Sequence, residues 1–72
     1  MLKEILVIDD NPDIRSLVSN ILIEQNYEVR TAANYDQAIY EINKKLPDLA
    51  IIDIKLDTVS YTHLTLPTIL LV

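Results

Sequence analysis

The sequence predicts an α/β fold, a doubly wound parallel sheet running β-α-β-α-β, and three observations carry this. Three short segments, Glu4 to Ile8, Tyr27 to Ala32 and Leu49 to Ile52, read as strands, and the first is an apolar run rich in β-branched residues. Two segments with helical signals lie between them. The connections are short, and strands alternating with helices indicate an open parallel sheet with helices on both faces.

The first run, Glu-Ile-Leu-Val-Ile, is apolar from Ile5 onward with no alternation. That suits a strand covered on both faces. It ends abruptly at Asp9-Asp10, and Asn11-Pro12-Asp13 follows as a helix start. Asn caps, Pro suits the first helical position, and an acid favours the positive helix end. Ile14, Leu17, Val18, Ile21 and Leu22 then form one apolar stripe at helical spacing, closed by Glu24, Gln25 and Asn26. Beyond the second strand, Asn34 caps a second helix with Gln37 three residues on. Ala38, Ile39, Ile42 and Leu46 give this helix its apolar side, Lys44 and Lys45 suit its C-terminal end, and Pro47 stops it. The third strand ends at Asp53. There is no glycine, so Asn26 and Asn34 are the residues expected to take the turns.

The 72 residues allow one small domain, half of it hydrophobic. Eleven Asp and Glu against six Lys and Arg give a net charge of −5, which argues against nonspecific nucleic-acid binding. The absence of cysteine excludes disulfides and thiolate zinc sites, and fits a cytoplasmic protein. No apolar run approaches the roughly 20 residues of a membrane helix, and no export signal precedes the first strand.

Functional groups in an open parallel sheet gather at the C-terminal strand ends. Asp9 and Asp10 end the first strand and Asp53 the third, so three carboxylates converge if those strands are neighbours. Crowded carboxylates repel, and a hard divalent cation resolves the repulsion. Oxygen ligands suit Mg²⁺, which typically takes one or two carboxylates plus phosphate oxygens. Phosphoryl transfer needs positioning and charge neutralisation, and an ionised carboxylate in line with phosphorus serves as nucleophile. Alone, an Asp pair before Pro reads as helix-capping acids. Placement of both groups at strand ends makes a site the better reading.

These residues resemble the receiver domain of two-component response regulators. Ile5-Leu6-Val7-Ile8-Asp9-Asp10-Asn11 is similar to the family's first-strand signature, and Ile14-Arg15, Leu17 and Ile21-Leu22 to its first helix. Tyr27-Glu28-Val29 and Ala33-Asn34 through Ala38-Ile39 resemble the second strand and helix, with Tyr35 where the family often has Gly. Pro47-Asp48-Leu49 and Ile51-Ile52-Asp53-Ile54 resemble the third strand and phosphoacceptor. The resemblance implies a flavodoxin-like sheet of order 2-1-3, with Asp53 as phosphoacceptor. It implies that Asp10 binds Mg²⁺ directly, Asp9 through water, and Lys55 through its backbone carbonyl. The implied partner is a sensor histidine kinase or phosphotransfer protein, and the implied role is signalling, not enzymatic turnover.

The sequence departs from the family after Leu56. The family's Ser or Thr at a fourth strand end and Lys at a fifth have no counterpart, so the chain as written is expected to fold poorly and to hold little phosphate. Residues 58–72 contain no Asp, Glu, Lys or Arg. Val59 to Thr68 resemble the translation of a transposase-type sequencing adapter in one frame, and this assigns 1–57 to a partial receiver domain and 58–72 to a non-native tail. On that reading Tyr61 and His63 need no role, and the third strand is left as an apolar edge. Two other functions fit the composition. A haloacid-dehalogenase-like Mg²⁺-dependent phosphatase would need Asp-x-Asp at one strand end, yet Val7 and Asn11 flank Asp9 at that spacing. An inert acidic interaction fold would show no Mg²⁺-dependent labelling.

Overall fold

The computed structural model describes residues 3–53 and the backbone of 69–71. Strand β1 (Glu4–Ile8) leads to helix α1 (Pro12–Glu24), strand β2 (Glu28–Ala32), helix α2 (Tyr35–Lys44) and strand β3 (Leu49–Ile52). A fourth strand, β4, spans Ile69–Leu71. The sheet order is β2-β1-β3-β4, with every pairing parallel. The expected α/β class and the order 2-1-3 are therefore present.

β1 sits between β2 and β3, paired from Glu4↔Glu28 to Ile8↔Ala32 on one side and from Ile5↔Leu49 to Ile8↔Ile52 on the other. All five of its residues are buried, which is why its sequence carries no alternation. Alternate side chains serve opposite faces. Leu6 and Ile8 join Ala32, Ala50, Ile52 and the α2 residue Ala38 in the main core, with Ile42 packed against it. Ile5 and Val7 point to the other face and are just as buried.

The two helices are started by their asparagines. The Asn11 side chain accepts from the Asp13 and Ile14 amides at 2.9 and 3.4 Å, and Pro12 opens α1. The Asn34 side chain accepts from the Gln37 amide at 2.9 Å, while Gln37 Oε1 accepts from the Ala33 amide at 2.8 Å. This is a capping box displaced by one residue at its return bond.

α1 closes with a Schellman arrangement. The Tyr27 amide donates to the Leu22 carbonyl at 3.2 Å and the Asn26 amide to the Ile23 carbonyl at 3.0 Å. Asn26 takes φ 69°, the left-handed region where glycine is usual. Asn34, by contrast, is extended at φ −156°. Asn26→Ala is expected to destabilise the chain by about 1 kcal/mol, since a Cβ without a local hydrogen-bonding side chain is strained there. Asn26→Gly is expected to be neutral or stabilising, and paired urea melts of the two variants check the sign.

Three expectations are corrected. β3 is not an open edge, because Ala50, Ile51 and Ile52 pair with Ile69, Leu70 and Leu71. The end of the segment set apart from the fold thus joins the sheet. A ladder is made by backbone groups, so a short apolar run can supply it without any match of side chains. The predicted α1 stripe is only partly covered: Val18 and Leu22 are half-buried, whereas Ile14, Leu17 and Ile21 are exposed, Leu17 to 57%. α1 contains no buried residue. Leu46 falls beyond the end of α2 and is exposed, so it adds nothing to the apolar side of that helix.

The sheet's lower corner holds an ion cluster. Glu4, 8% exposed, pairs with Arg30 of β2 and with Lys45 at 3.2 Å. Arg30 also donates to the Glu41 carbonyl at 2.6 Å, to the Glu41 carboxylate at 3.2 Å and to the Lys45 carbonyl. It therefore joins β1 and β2 to the last turn of α2. Asp48 closes the same edge, its carboxylate accepting from the Glu4 amide at 2.9 Å.

Candidate functional site: an acidic triad at the strand ends

The site lies just past the last rungs of the central ladders. The Asp9 amide donates to the Ala32 carbonyl at 3.1 Å, and the Asp53 amide to the Ile8 carbonyl at 3.0 Å. These two bonds extend the β1–β2 and β1–β3 pairings by one residue each. They set Asp53 beside the acidic pair, as the strand-end argument requires.

Asp9, Asp10 and Asp53 each offer a carboxylate oxygen, and these oxygens lie within 4.8 Å of one another. Asp9 is buried, Asp53 intermediate and Asp10 exposed. The two adjacent acids are thus unlike. One Asp9 oxygen, Oδ1, accepts from the Asn11 amide at 2.9 Å, and the Asp9 carbonyl accepts from Arg15 Nη1 at 2.7 Å. Asp9 is held by the turn that follows it, whereas Asp10 faces outward.

This donor set fits a hard divalent cation. It is all carboxylate oxygen, it has room for water on its exposed side, and its charge calls for neutralisation. Mg²⁺ suits it better than a soft metal, because among the described residues no thiolate or imidazole joins the three carboxylates. All three sequence-predicted acids are brought together. Lys55 lies outside the described residues, as do Tyr61 and His63. Among the described residues no helix is long and apolar enough to cross a membrane.

Sequence reasoning missed Arg15. Its signal was faint: a cation in the first turn of a helix, where the helix dipole disfavours one. It also gave Asn11 only a capping role, although the Asn11 amide orients Asp9.

An open parallel sheet of order 2-1-3 thus carries a carboxylate triad at its C-terminal rim, where doubly wound α/β folds gather their functional groups. The family model for the response regulator receiver domain matches residues 5–65, and the chain belongs to that family. The match runs past residue 57 into the segment set apart by composition. Nitrogen assimilation regulatory protein NtrX of Azorhizobium caulinodans is 44% identical over 54 residues, covering 75% of this chain and 12% of that protein. The structure of Brucella abortus NtrX in complex with ADP superposes with a TM-score of 0.80 at 38% identity, covering 99% of this chain and 18% of that one. Response regulator TrrA of Thermotoga maritima, in complex with Mg²⁺-BeF, gives a TM-score of 0.71 at 42% identity over 76% of this chain and 48% of that one. The chain spans less than half the length of these relatives. The phosphatase alternative finds no support, since Asp53 follows β3, not β1, and Asn11 occupies the second position after Asp9.

Proposed function

We propose that this receiver domain takes a phosphoryl group from a phosphohistidine onto Asp53, with a Mg²⁺ ion held by Asp9, Asp10 and Asp53 and by the Lys55 backbone carbonyl. The convergence of the three carboxylates within 4.8 Å is the observation that carries the reading. When bound, the ion supplies charge neutralisation at the moving phosphoryl oxygens. The protein's own work is positional. The Asp53 amide is bonded to the Ile8 carbonyl, which sets this residue beside the acidic pair. An Asp53 oxygen forms a bond to phosphorus as the phosphorus–nitrogen bond of the donor breaks, leaving an acyl phosphate and a free imidazole. The exposure of Asp10 supports direct ligation of the ion, and the burial of Asp9, with one oxygen already bonded, supports a role through water.

The donor would be a sensor histidine kinase or a phosphotransfer protein, and the domain would act in the cytoplasm as a signalling acceptor without turnover of its own. Residues 1–57 would form the receiver part. Residues 58–72 would be translated adapter, a reading supported by the residue-by-residue match over 59–68 and the lack of charge. The nucleotides after codon 57 test that boundary directly: codons unlike the adapter remove it.

The chemistry is tested with acetyl phosphate as donor and borohydride as trap. Hydride reduces an acyl phosphate to the alcohol with release of phosphate, so even a short-lived adduct leaves a permanent mark. Peptide mass spectrometry is expected to find the mark at position 53, only with Mg²⁺, and to find none in Asp53→Asn. A Mg²⁺-independent mark, or one on another acid, would sink the reading.

A further inference from the structure

We propose that Arg15 is a positioning residue for the cation site, acting through the backbone of Asp9; this rests on reading the acidic triad as that site. Among the described residues the Asp9 amide is the last β1 group in the ladder, and no backbone amide donates to the Asp9 carbonyl. Asp9 is only 7% exposed, and a buried carbonyl needs a donor. Arg15 Nη1 supplies it at 2.7 Å, a short charge-assisted bond. Helical side chains lean toward the helix N-terminus, which carries this guanidinium from the first turn of α1 back over the acidic turn. The placement opposes the helix's own preference, because the dipole disfavours a cation there. Asp9 is thereby fixed at three atoms: its amide to Ala32, its Oδ1 to the Asn11 amide and its carbonyl to Arg15. Fixing that carbonyl fixes the peptide leading to Asp10, and so where the Asp10 carboxylate points.

Two roles for Arg15 predict opposite signs. As a nearby positive charge it would repel Mg²⁺, and its removal would tighten binding. As a clamp on the turn it prepares the site, and its removal loosens binding. The clamp predicts that Arg15→Met weakens Mg²⁺ binding by about tenfold, the lower end of what outer partners of a metal site are worth. Arg15→Lys should recover most of this, since an ammonium also donates to a carbonyl.

The test titrates Mg²⁺ into the 72-residue chain and its two variants, followed by amide chemical shifts. It also compares hydrogen exchange of the Asn11 amide without metal. Weaker binding and faster Asn11 exchange in Arg15→Met, both restored in Arg15→Lys, are expected. Equal or tighter binding in Arg15→Met, or unchanged Asn11 exchange, overturns the proposal. The Leu6 amide in β1 reports the fold in the same spectra. If its protection falls in Arg15→Met, Arg15→Lys decides: Asn11 protection kept supports the clamp, and protection lost overturns it. If the unaltered chain binds no Mg²⁺, the site reading fails, while metal-free exchange still decides what Arg15 holds.

Discussion

Asp10→Ala is expected to lower Mg²⁺ affinity by about 100-fold, the upper end even for outer partners, because it removes a proposed direct ligand. Asp9→Asn is expected to cost about tenfold. The asymmetry follows from the geometry. Asp10 is exposed beside the other two acids, whereas Asp9 is buried with Oδ1 committed to the Asn11 amide. Asparagine retains a carbonyl oxygen for that bond, so the turn survives the second change. In metal-free buffer the sign reverses. Removing Asp10 relieves repulsion among crowded carboxylates, and the variant is expected to be up to about 1 kcal/mol more stable than the parent, the scale of exposed charge pairs. Added Mg²⁺ then stabilises the parent by mass action and leaves Asp10→Ala almost unmoved. Melts with and without Mg²⁺ read both signs, and a variant that responds to the ion as the parent does would remove Asp10 from the site.

That convergence was legible in the letters because strand ends are abrupt. Ile8-Asp9 and Ile52-Asp53 each change from apolar to acidic in one step, and a parallel sheet brings such steps to one rim. The difference between Asp9 and Asp10 was not legible as structure. It depends on the Asn11 amide and the Arg15 guanidinium, and neither partner is marked by a pattern. β1 announced itself as covered on both faces because an unbroken apolar run needs such cover, and Leu6 and Val7 point oppositely yet are both buried. α1 was read to its ends, since Asn11, Pro12 and Asn26 each carry a local mechanism. What covers its stripe was not, because periodicity groups Ile14, Leu17 and Ile21 without naming a neighbour for them. β4 left no trace at all. Three apolar residues, Ile69–Leu71, say nothing about pairing, which is a matter of backbone ladders formed with residues far back in the chain.

Arg30 was equally silent in the sequence, a lone cation in a short strand, and the structure ties it to β1 and α2 at once. Its partners Glu4 and Glu41 stand on β1 and α2, and two carbonyls at the end of α2 accept from it as well. Arg30 and Glu4 side chains are 21% and 11% exposed, so this pair is largely out of water. Breaking one side of such a pair leaves a buried charge behind, which costs about 3–5 kcal/mol. Arg30→Met should therefore destabilise by about 3 kcal/mol, toward the low end, because Lys45 still reaches Glu4 at 3.2 Å from a largely exposed position. A domain this small has little stability to spare, so most of the population should unfold at 37 °C. Glu4→Gln alone should cost less, since Arg30 keeps Glu41 and its two carbonyls. The decisive chain is Glu4→Gln with Arg30→Met, in which no stranded carboxylate remains on β1. It is expected to recover about 1–2 kcal/mol over Arg30→Met alone, the coupling typical of contacting charges. Denaturant melts of the four chains measure that coupling. Strict additivity would mean that Arg30 stabilises through the end of α2 alone, and that the buried Glu4 is held by Lys45 and the Asp48 edge instead.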